Sequence, residues 1–347
     1  MTHSQNKASG QFIQSISSLL RRSDTSVVLA TLVLFVLFSF SNPSFLSAFN
    51  LFNISRTASL YVLIALSQAI VIVVGGMNLS VGAIGALTVV IAGHAMEKFG
   101  WSPTAAVILG LLVGVTAGAF NGGIIVKTKL NAFVVTLATS FIFQGLVNGI
   151  SRGFPYANIP KTITKLGTGD IFGIPYMFIL MIFVLIVMWY LFTYVVTGRR
   201  ILATGGNAEA ARLSGVRTDR IIFLVNVMSG FFASMAALVW ISRMGSAQPN
   251  TGGDWLIISF AVSIIGSTAL TGGEFSSIGI FAAAFLLTLI RNGLIMLNVN
   301  VYYEQTFLGL IILLAVSIES IRMIVSNSAR KRQLKKADSE QEVSPSV

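Results

Sequence analysis

The sequence predicts an all-α, polytopic membrane protein, a helical bundle of about ten transmembrane helices. Three observations predict it. Of 347 residues, 54% are apolar and 10% charged, with a mean hydropathy of +0.83, whereas soluble domains carry about 25% charged residues. Apolar runs long enough to cross a bilayer, which takes about 20 residues, recur along the chain. Lys and Arg are spread unevenly over the pieces that join those runs, as a fixed orientation requires. One bundle absorbs all of the spans, so the length implies a single membrane domain.

In chain order the spans are expected at about 26–41, 57–75, 80–96, 103–126, 131–150, 176–197, 220–241, 255–270, 277–297 and 306–325. The first follows Arg21 and Arg22 in the manner of a signal peptide. No small-x-small cleavage site follows it, so it reads as an uncleaved span. The fourth contains "GLLVGVTAGAFNGG" at 110–123, whose small residues suit close helix approach inside a bundle. The stretch 151–175, with Pro155, Pro160 and Pro175, is the longest outer loop, and none of the seven prolines falls in a span interior. Broken helices are expected near 75–82 and 272–279. There "GGMNLSVG" and "GGEFSSIG" share Gly, Gly, Ser and Gly in register. Such backbone is tolerated at membrane depth only where it faces protein or a wet cavity.

With the amino end in the cytoplasm, cytoplasmic pieces hold sixteen Lys and Arg, five of them in Arg199–Arg220. The outer loops hold six (Arg56, Lys98, Arg152, Lys161, Lys165 and Arg243), and Arg291 lies inside a span. This count puts both termini in the cytoplasm. Trp101, Trp240 and Trp255 fall near the outer boundaries, where tryptophan anchors spans. The organisation expected is a cytoplasmic tail at 1–25, a transmembrane domain at 26–325 and a cytoplasmic tail at 326–347. The last is disordered by composition, and its basic half is suited to anionic membrane lipid.

The composition excludes several chemistries. No cysteine is present, which removes disulfides and thiolate sites. The formal net charge of +11 is the topology signal of a membrane protein, and no nucleic-acid partner is expected. His3 lies in the tail and His94 near an outer helix end, a pattern that predicts neither a metal site nor a catalytic group. No Gly-x4-Gly-Lys-Ser/Thr loop occurs, so the chain does not itself hydrolyse ATP. No cofactor and no enzymatic activity are expected.

"GRRILATGGNAEAARLSGVRTDR", Gly198 to Arg220, is a polar stretch between two of the most apolar ones. Its Asn207 can cap a short helix with Glu209 near the start. "EAARLSG", Glu209, Ala210, Ala211 and then Gly215 four residues on, resembles the Glu-Ala-Ala-x3-Gly loop by which permeases of ATP-binding-cassette importers dock on their ATPase subunits. The wider stretch is similar to the version in ribose- and galactose-type permeases. The resemblance runs from about Leu46 to Arg322. "GGMNLSVG" is similar to the family's Gly-Gly-x-Asp-Leu-Ser-Val-Gly, "AFVVTLAT" at 132–139 to its Pro-Phe-Ile-x-Thr-Leu-Ala-Thr, and "LLAVSIESIR" to its carboxyl end. Asn78 stands for the usual Asp, Ala132 for Pro, and "GGEFSSIG" for Gly-Gly-x-Ser-x-x-Gly-Gly. These departures bear on the cargo.

The resemblance implies the pathway subunit of an importer in the bacterial inner membrane, carrying a monosaccharide or sugar-like solute. It also implies three partners: ATPase subunits, a soluble substrate-binding protein and a second permease subunit, identical or not. Candidate pathway residues are the polar groups at membrane depth: Gln68, Asn78, Ser80, Asn121, Thr136, Ser140, Gln144, Arg291 and Asn292. Hydroxyls and amides can exchange hydrogen bonds with sugar hydroxyls without a fixed charge. For each of them the competing role is interhelical hydrogen bonding, worth about 0.6 kcal/mol. Arg291 is expected to snorkel, to pair with Glu274 or Glu304, or to face water. The alternative to an importer subunit is a self-contained facilitator or ion-coupled transporter, for which Glu274 is the nearest coupling acid.

Overall fold

The computed structural model describes residues 23–266 and 272–297, with isolated positions between 303 and 313. The predicted tenth span and carboxyl tail, and nearly all of the amino tail, lie outside the described residues. The chain divides into Met1–Asn298 and Val299–Val347. In the second unit Tyr303, Phe307, Leu310 and Leu313 are exposed; every element named below belongs to the first.

The first unit is a helical bundle. Helix α1 (Ser23–Ser41) leads through a 3-10 turn to α2 (Ala48–Ile72), α3 (Val81–Lys98), α4 (Pro103–Thr128) and α5 (Ala132–Ser151). A short α6 (Lys161–Thr168) and a two-stranded ribbon, β1 (Asp170–Ile171) and β2 (Ile174–Pro175), precede α7 (Tyr176–Tyr194). Then come α8 (Val196–Gly206), α9 (Ala208–Leu213), α10 (Thr218–Met244), α11 (Trp255–Ile265) and α12 (Ser277–Met296). The sequence sets many of these boundaries locally. Ser47, Ser102, Asn131 and Ser276 each accept a backbone N–H in the first turn of the helix that follows, satisfying donors that a helix start leaves unpaired.

Among the described residues seven helices are long and apolar enough to span a bilayer: α2, α3, α4, α5, α7, α10 and α12. Two of the predicted spans appear as shorter apolar helices, Thr25–Ser41 and Trp255–Ile265. The second stops at Gly266, where a Cβ would press on Ile280 of α12 and on Val262 O. The loop at 151–175 also carries more structure than expected. Phe172 and Gly173 both have positive φ and close the ribbon in a two-residue turn. Trp255, placed by sequence at a membrane boundary, is 2% exposed, its ring lying over Gly85.

Helix α2 runs through the centre, with seventeen buried residues packed against α7, α10, α11 and α12. Helices α4 and α10 make the closest contact. Gly110, Gly114, Gly118 and Gly122 form one edge of α4 at four-residue spacing. A Cβ at Gly114 would overlap Gly230 O, one at Gly118 would overlap Asn226 O, and one at Gly230 would overlap Gly114 O. The backbones therefore touch directly, which is how helices gain packing energy in lipid, where the hydrophobic effect between helices is lost. The opposite flanks are apolar and open, for example Leu112, Phe141 and Phe183.

Gly118→Leu or Gly230→Val is expected to cost on the order of 3 kcal/mol or more, because backbone cannot yield to the added side chain. The check is the melting temperature and the monodisperse fraction of detergent-purified protein. Gly123→Ala, which meets nothing within 4 Å, should change both little; equal behaviour of the two classes would show that the contact does not hold the bundle.

Candidate translocation and coupling sites

Four predicted polar residues come together in one network. The chain leaves α2 through Gly75, at φ +76, and re-enters helix at Val81. Between them Asn78 Nδ2 donates to Ser229 Oγ on α10 at 2.8 Å. Its Oδ1 accepts from Ser80 N at 2.9 Å and Ser80 Oγ at 2.6 Å. Asn121 Nδ2 of α4 donates to Ser80 Oγ at 2.8 Å. Thr136 Oγ1 of α5 accepts from Leu79 N at 3.0 Å and donates to Ala132 O at 2.7 Å. Asn78, Ser80, Asn121 and Thr136 are all fully buried. Segment 73–80 is thus hydrogen-bonded by three neighbouring helices, the kind of support that irregular backbone inside a bundle needs. Ser229, which completes the network, was not singled out from sequence; its only signal is a serine beside Gly230.

The other candidates lie elsewhere. Ser140 and Gln144 are partly exposed and follow Thr136 at four-residue spacing, so the three make a polar stripe up one flank of α5. Gln68 is fully buried on α2, and neither Nε2 nor Oε1 has a hydrogen-bond partner. Asn292 and Asn50 exchange hydrogen bonds of 2.7 and 3.2 Å. Arg291 donates to the Tyr61 hydroxyl and lines a cavity of about 280 Å³ with Arg243, Thr57 and Thr288. It sits toward the carboxyl end of α12. Glu274 precedes the amino end of that helix, roughly 20 Å away along the axis, so the expected Arg291–Glu274 pair does not form. Glu304 lies outside the described residues. Glu274 is exposed, a poor position for an acid that would bind a coupling ion away from water.

The basic stretch 198–220 folds as expected around Asn207. Its Oδ1 accepts from Ala210 N at 2.9 Å, capping α9. Glu209 and Arg212 form an exposed pair at 3.1 Å, of the kind worth little in stability. Gly215 has φ +84 and ends the helix, with Val216 N donating to Ala211 O at 3.0 Å. The two alanines differ: Ala210 is exposed, whereas Ala211 is buried against the protein. Leu213, which the sequence reading passed over, is 81% exposed and is the apolar residue that α9 offers outward.

The structure also brings the two glycine-pair segments together, with α8 against them. Gly273 N donates to Val73 O at 2.8 Å. A Cβ at Gly205 would overlap Val73 O and stand 2.6 Å from Gly273 N. Gly272 and Gly273 both have positive φ, and Phe275 stacks on Phe192 of α7 at 4.0 Å between centroids. The polar stretch is therefore joined to both breaks by backbone contact. The Gly205–Gly206 pair was the signal for this in the sequence.

At the far end of the bundle, Tyr156 and Ala247 exchange backbone hydrogen bonds of 2.8 and 3.0 Å. His94 Nδ1 lies 2.9 Å from the Tyr156 hydroxyl, which donates to Ile150 O at 3.2 Å. Burial, and then the Glu97 carboxylate, push the Tyr156 phenol above its ordinary pKa, so it stays a neutral donor. His94 thus anchors the loop that carries Tyr156 to α3, and the Tyr156–Ala247 pair joins that loop to the one after α10.

Residues 50–316 match a family model described as branched-chain amino acid transport system / permease component. The chain is 34% identical to the ribose import permease protein RbsC of Bacillus subtilis (strain 168) over 84% of this chain and 91% of that one. It is 34% identical to the D-allose transport system permease protein AlsC of Escherichia coli (strain K12), over 82% and 87%. It is 31% identical to the autoinducer 2 import system permease protein LsrC of Photorhabdus laumondii, over 89% and 93%. No solved structure matches. Helices of spanning length, a capped loop helix that follows directly on the helix packed against both glycine breaks, and these relatives agree: the chain belongs to this permease family, as a membrane subunit of the sugar-importer type whose ATPase is a separate chain.

Proposed function

We propose that the chain imports a monosaccharide or a related neutral, hydroxyl-rich solute, and that α9 is the helix through which an ATPase subunit drives it. The observation that carries this reading is the contact of Gly205 with Val73 and Gly273. A push on α8 and α9 reaches both glycine breaks with no side chain between to absorb it. Asn207, Glu209 and Ala210 present the outer face of α9 with Leu213, while Ala211 and Gly215 set its seat and its end.

The pathway in this reading runs along the flank of α5. Thr136, Ser140 and Gln144 line it, and Asn78, Ser80 and Asn121 hold the break behind it until motion at the glycine junction opens the network. Gln68, buried without a partner, is a group that such a rearrangement would satisfy; an unpaired buried amide costs about 1–3 kcal/mol. Arg291 and Asn292 instead hold α12 on α2, through Tyr61 and Asn50. The relatives' names speak of ribose, D-allose and autoinducer 2 import, and the uncharged amides and hydroxyls named here suit cargo of that kind. The full arrangement has ten spans, both termini in the cytoplasm, a second permease subunit, anionic lipid against the basic tail, and a soluble binding protein delivering cargo from outside.

Three outcomes are expected. Gly215→Leu places a side chain at φ +84, so it should leave the permease in the membrane but abolish co-purification with the ATPase and sugar-stimulated ATP hydrolysis. Arg212→Ala should lose less than about twofold, its pair being exposed. Retained ATPase binding and uptake by Gly215→Leu would sink the docking role. For the pathway, Gln144→Leu should lower uptake severalfold without loss of assembly, while Asn78→Leu should lower both, since it removes the acceptor of Ser80 N and Oγ and the donor to Ser229; normal uptake by both variants would remove these residues from the route. For orientation, a phosphatase fused after Arg220 or Lys336 should be inactive, and activity at either point would invert the map there.

A further inference from the structure

Away from the basic stretch, a cavity of about 470 Å³ lies between α5 and the two loops that follow α5 and α10. Small-molecule sites occupy roughly 300–1,000 Å³. Four of its lining residues are primary amides, Gln144, Asn148, Gln248 and Asn250, with Pro155 and Pro249 beside them and no charged group among them. Each amide offers two N–H donors and a carbonyl acceptor. Little of this capacity is used internally: Gln144 Nε2 approaches Asn148 Oδ1 at 3.5 Å, and Gln248 Nε2 donates to Ser246 Oγ at 3.3 Å.

Amides on a loose loop would be ordinary surface groups. These are held. The loop with Gln248 and Asn250 is fixed on one side by the Tyr156–Ala247 backbone pair and on the other by Thr251. Thr251 is buried and donates to Gln248 O from both Oγ1, at 2.7 Å, and N, at 3.1 Å. Gly252, at φ +85, then lies with its backbone directly on that of Gly82 in α3. These contacts hold the loop backbone, so a ligand would meet a loop already in place and only the amide side chains would have to be ordered, which lowers the ordering cost of binding. From Gln144 the stripe on α5 continues to Ser140 and Thr136 in steps of about 6 Å.

We propose that this cavity is the entry site at which the permease receives its cargo, that it takes a neutral, hydroxyl-rich ligand of the monosaccharide or polyol class, and that Gln248 and Asn250 help to select it. The proposal rests on the permease reading above and adds a place and a selecting chemistry to it. Hydroxyls pair with amides as donor and acceptor at once, whereas an anion would find no countercharge here and apolar cargo would leave the amides unpaired.

The test uses the whole importer, permease with its ATPase and binding protein, in proteoliposomes. Uptake of D-ribose and of D-allose is measured against their 2-deoxy analogues for the wild type and for Gln248→Leu and Asn250→Leu. The binding protein is the same throughout, so its own preference cancels when variant and wild type are compared. The preference for the hydroxylated sugar should fall roughly two- to tenfold in each variant, the span of one lost hydrogen bond. A merely structural role would lower uptake of both sugars alike, and an unchanged ratio in both variants overturns the proposal. Should a leucine variant fail to reach the membrane, Asn250→Ser carries the same comparison with a smaller polar group. A wild-type importer that hydrolyses ATP yet moves none of these sugars, with or without the binding protein, overturns the underlying permease reading as well.

Discussion

The backbone contact between α4 and α10 is the constraint on which the rest of the molecule depends. It exists because Gly110, Gly114, Gly118 and Gly122 repeat along one edge of α4 and meet Asn226, Gly230 and Ser234 on α10. In lipid there is no hydrophobic gain from bringing two apolar helices together, so close packing has to supply the attraction. The polar network follows from it. Asn121 stands beside Gly122 and Ser229 beside Gly230, so the helices that touch also deliver the side chains that hold Ser80 and Asn78. Without the glycines the two arms of the network would stand too far apart to reach segment 73–80.

A second glycine contact turns this scaffold into something that can be moved. Gly205, Val73 and Gly273 meet through backbone atoms, and α9 sits at the end of the same stretch. Packed contacts of this kind pass a displacement on instead of absorbing it, since interiors have two or a few arrangements and little compliance. The break at 73–80 is therefore held from one side by hydrogen bonds and from the other by the junction. A subunit that has no ATPase of its own needs such a link between the surface where force arrives and the segment that must change.

The far end shows the opposite design. There the two loops are tied by the Tyr156–Ala247 backbone pair, with His94 and Thr251 holding one loop each, so the backbone that carries the amides is fixed. On the proposed reading, a tied end that receives cargo and a backbone-linked end that is driven suit a protein that accepts cargo in one state and releases it in another.

Much of this was legible in the sequence. Apolar runs, the glycine series at 110–123, the Asn207 cap and the two glycine pairs all report through local chemistry: burial energy, steric allowance and first-turn hydrogen bonds act between residues close in the chain. The places where the reading and the structure part are those set by residues far apart. Trp255 looked like a membrane anchor and is buried over Gly85, because Gly85 alone leaves room for an indole there. Within the span expected at 255–270 the described helix ends at Ile265, and Gly266 lies against Ile280 of α12, a neighbour no local pattern announces; 267–270 lie outside the described residues. Ala210 and Ala211 are equivalent as letters, and only the packing of α9 turns one outward and the other in. By itself the sequence determined that the chain spans a membrane, where its glycine breaks fall and where Asn207 starts a short helix in the polar loop; the tertiary structure decided which polar residues meet, since Asn78 and Ser229 are 151 positions apart and hydrogen bonding across that separation is a property of the packed bundle and not of any segment of it.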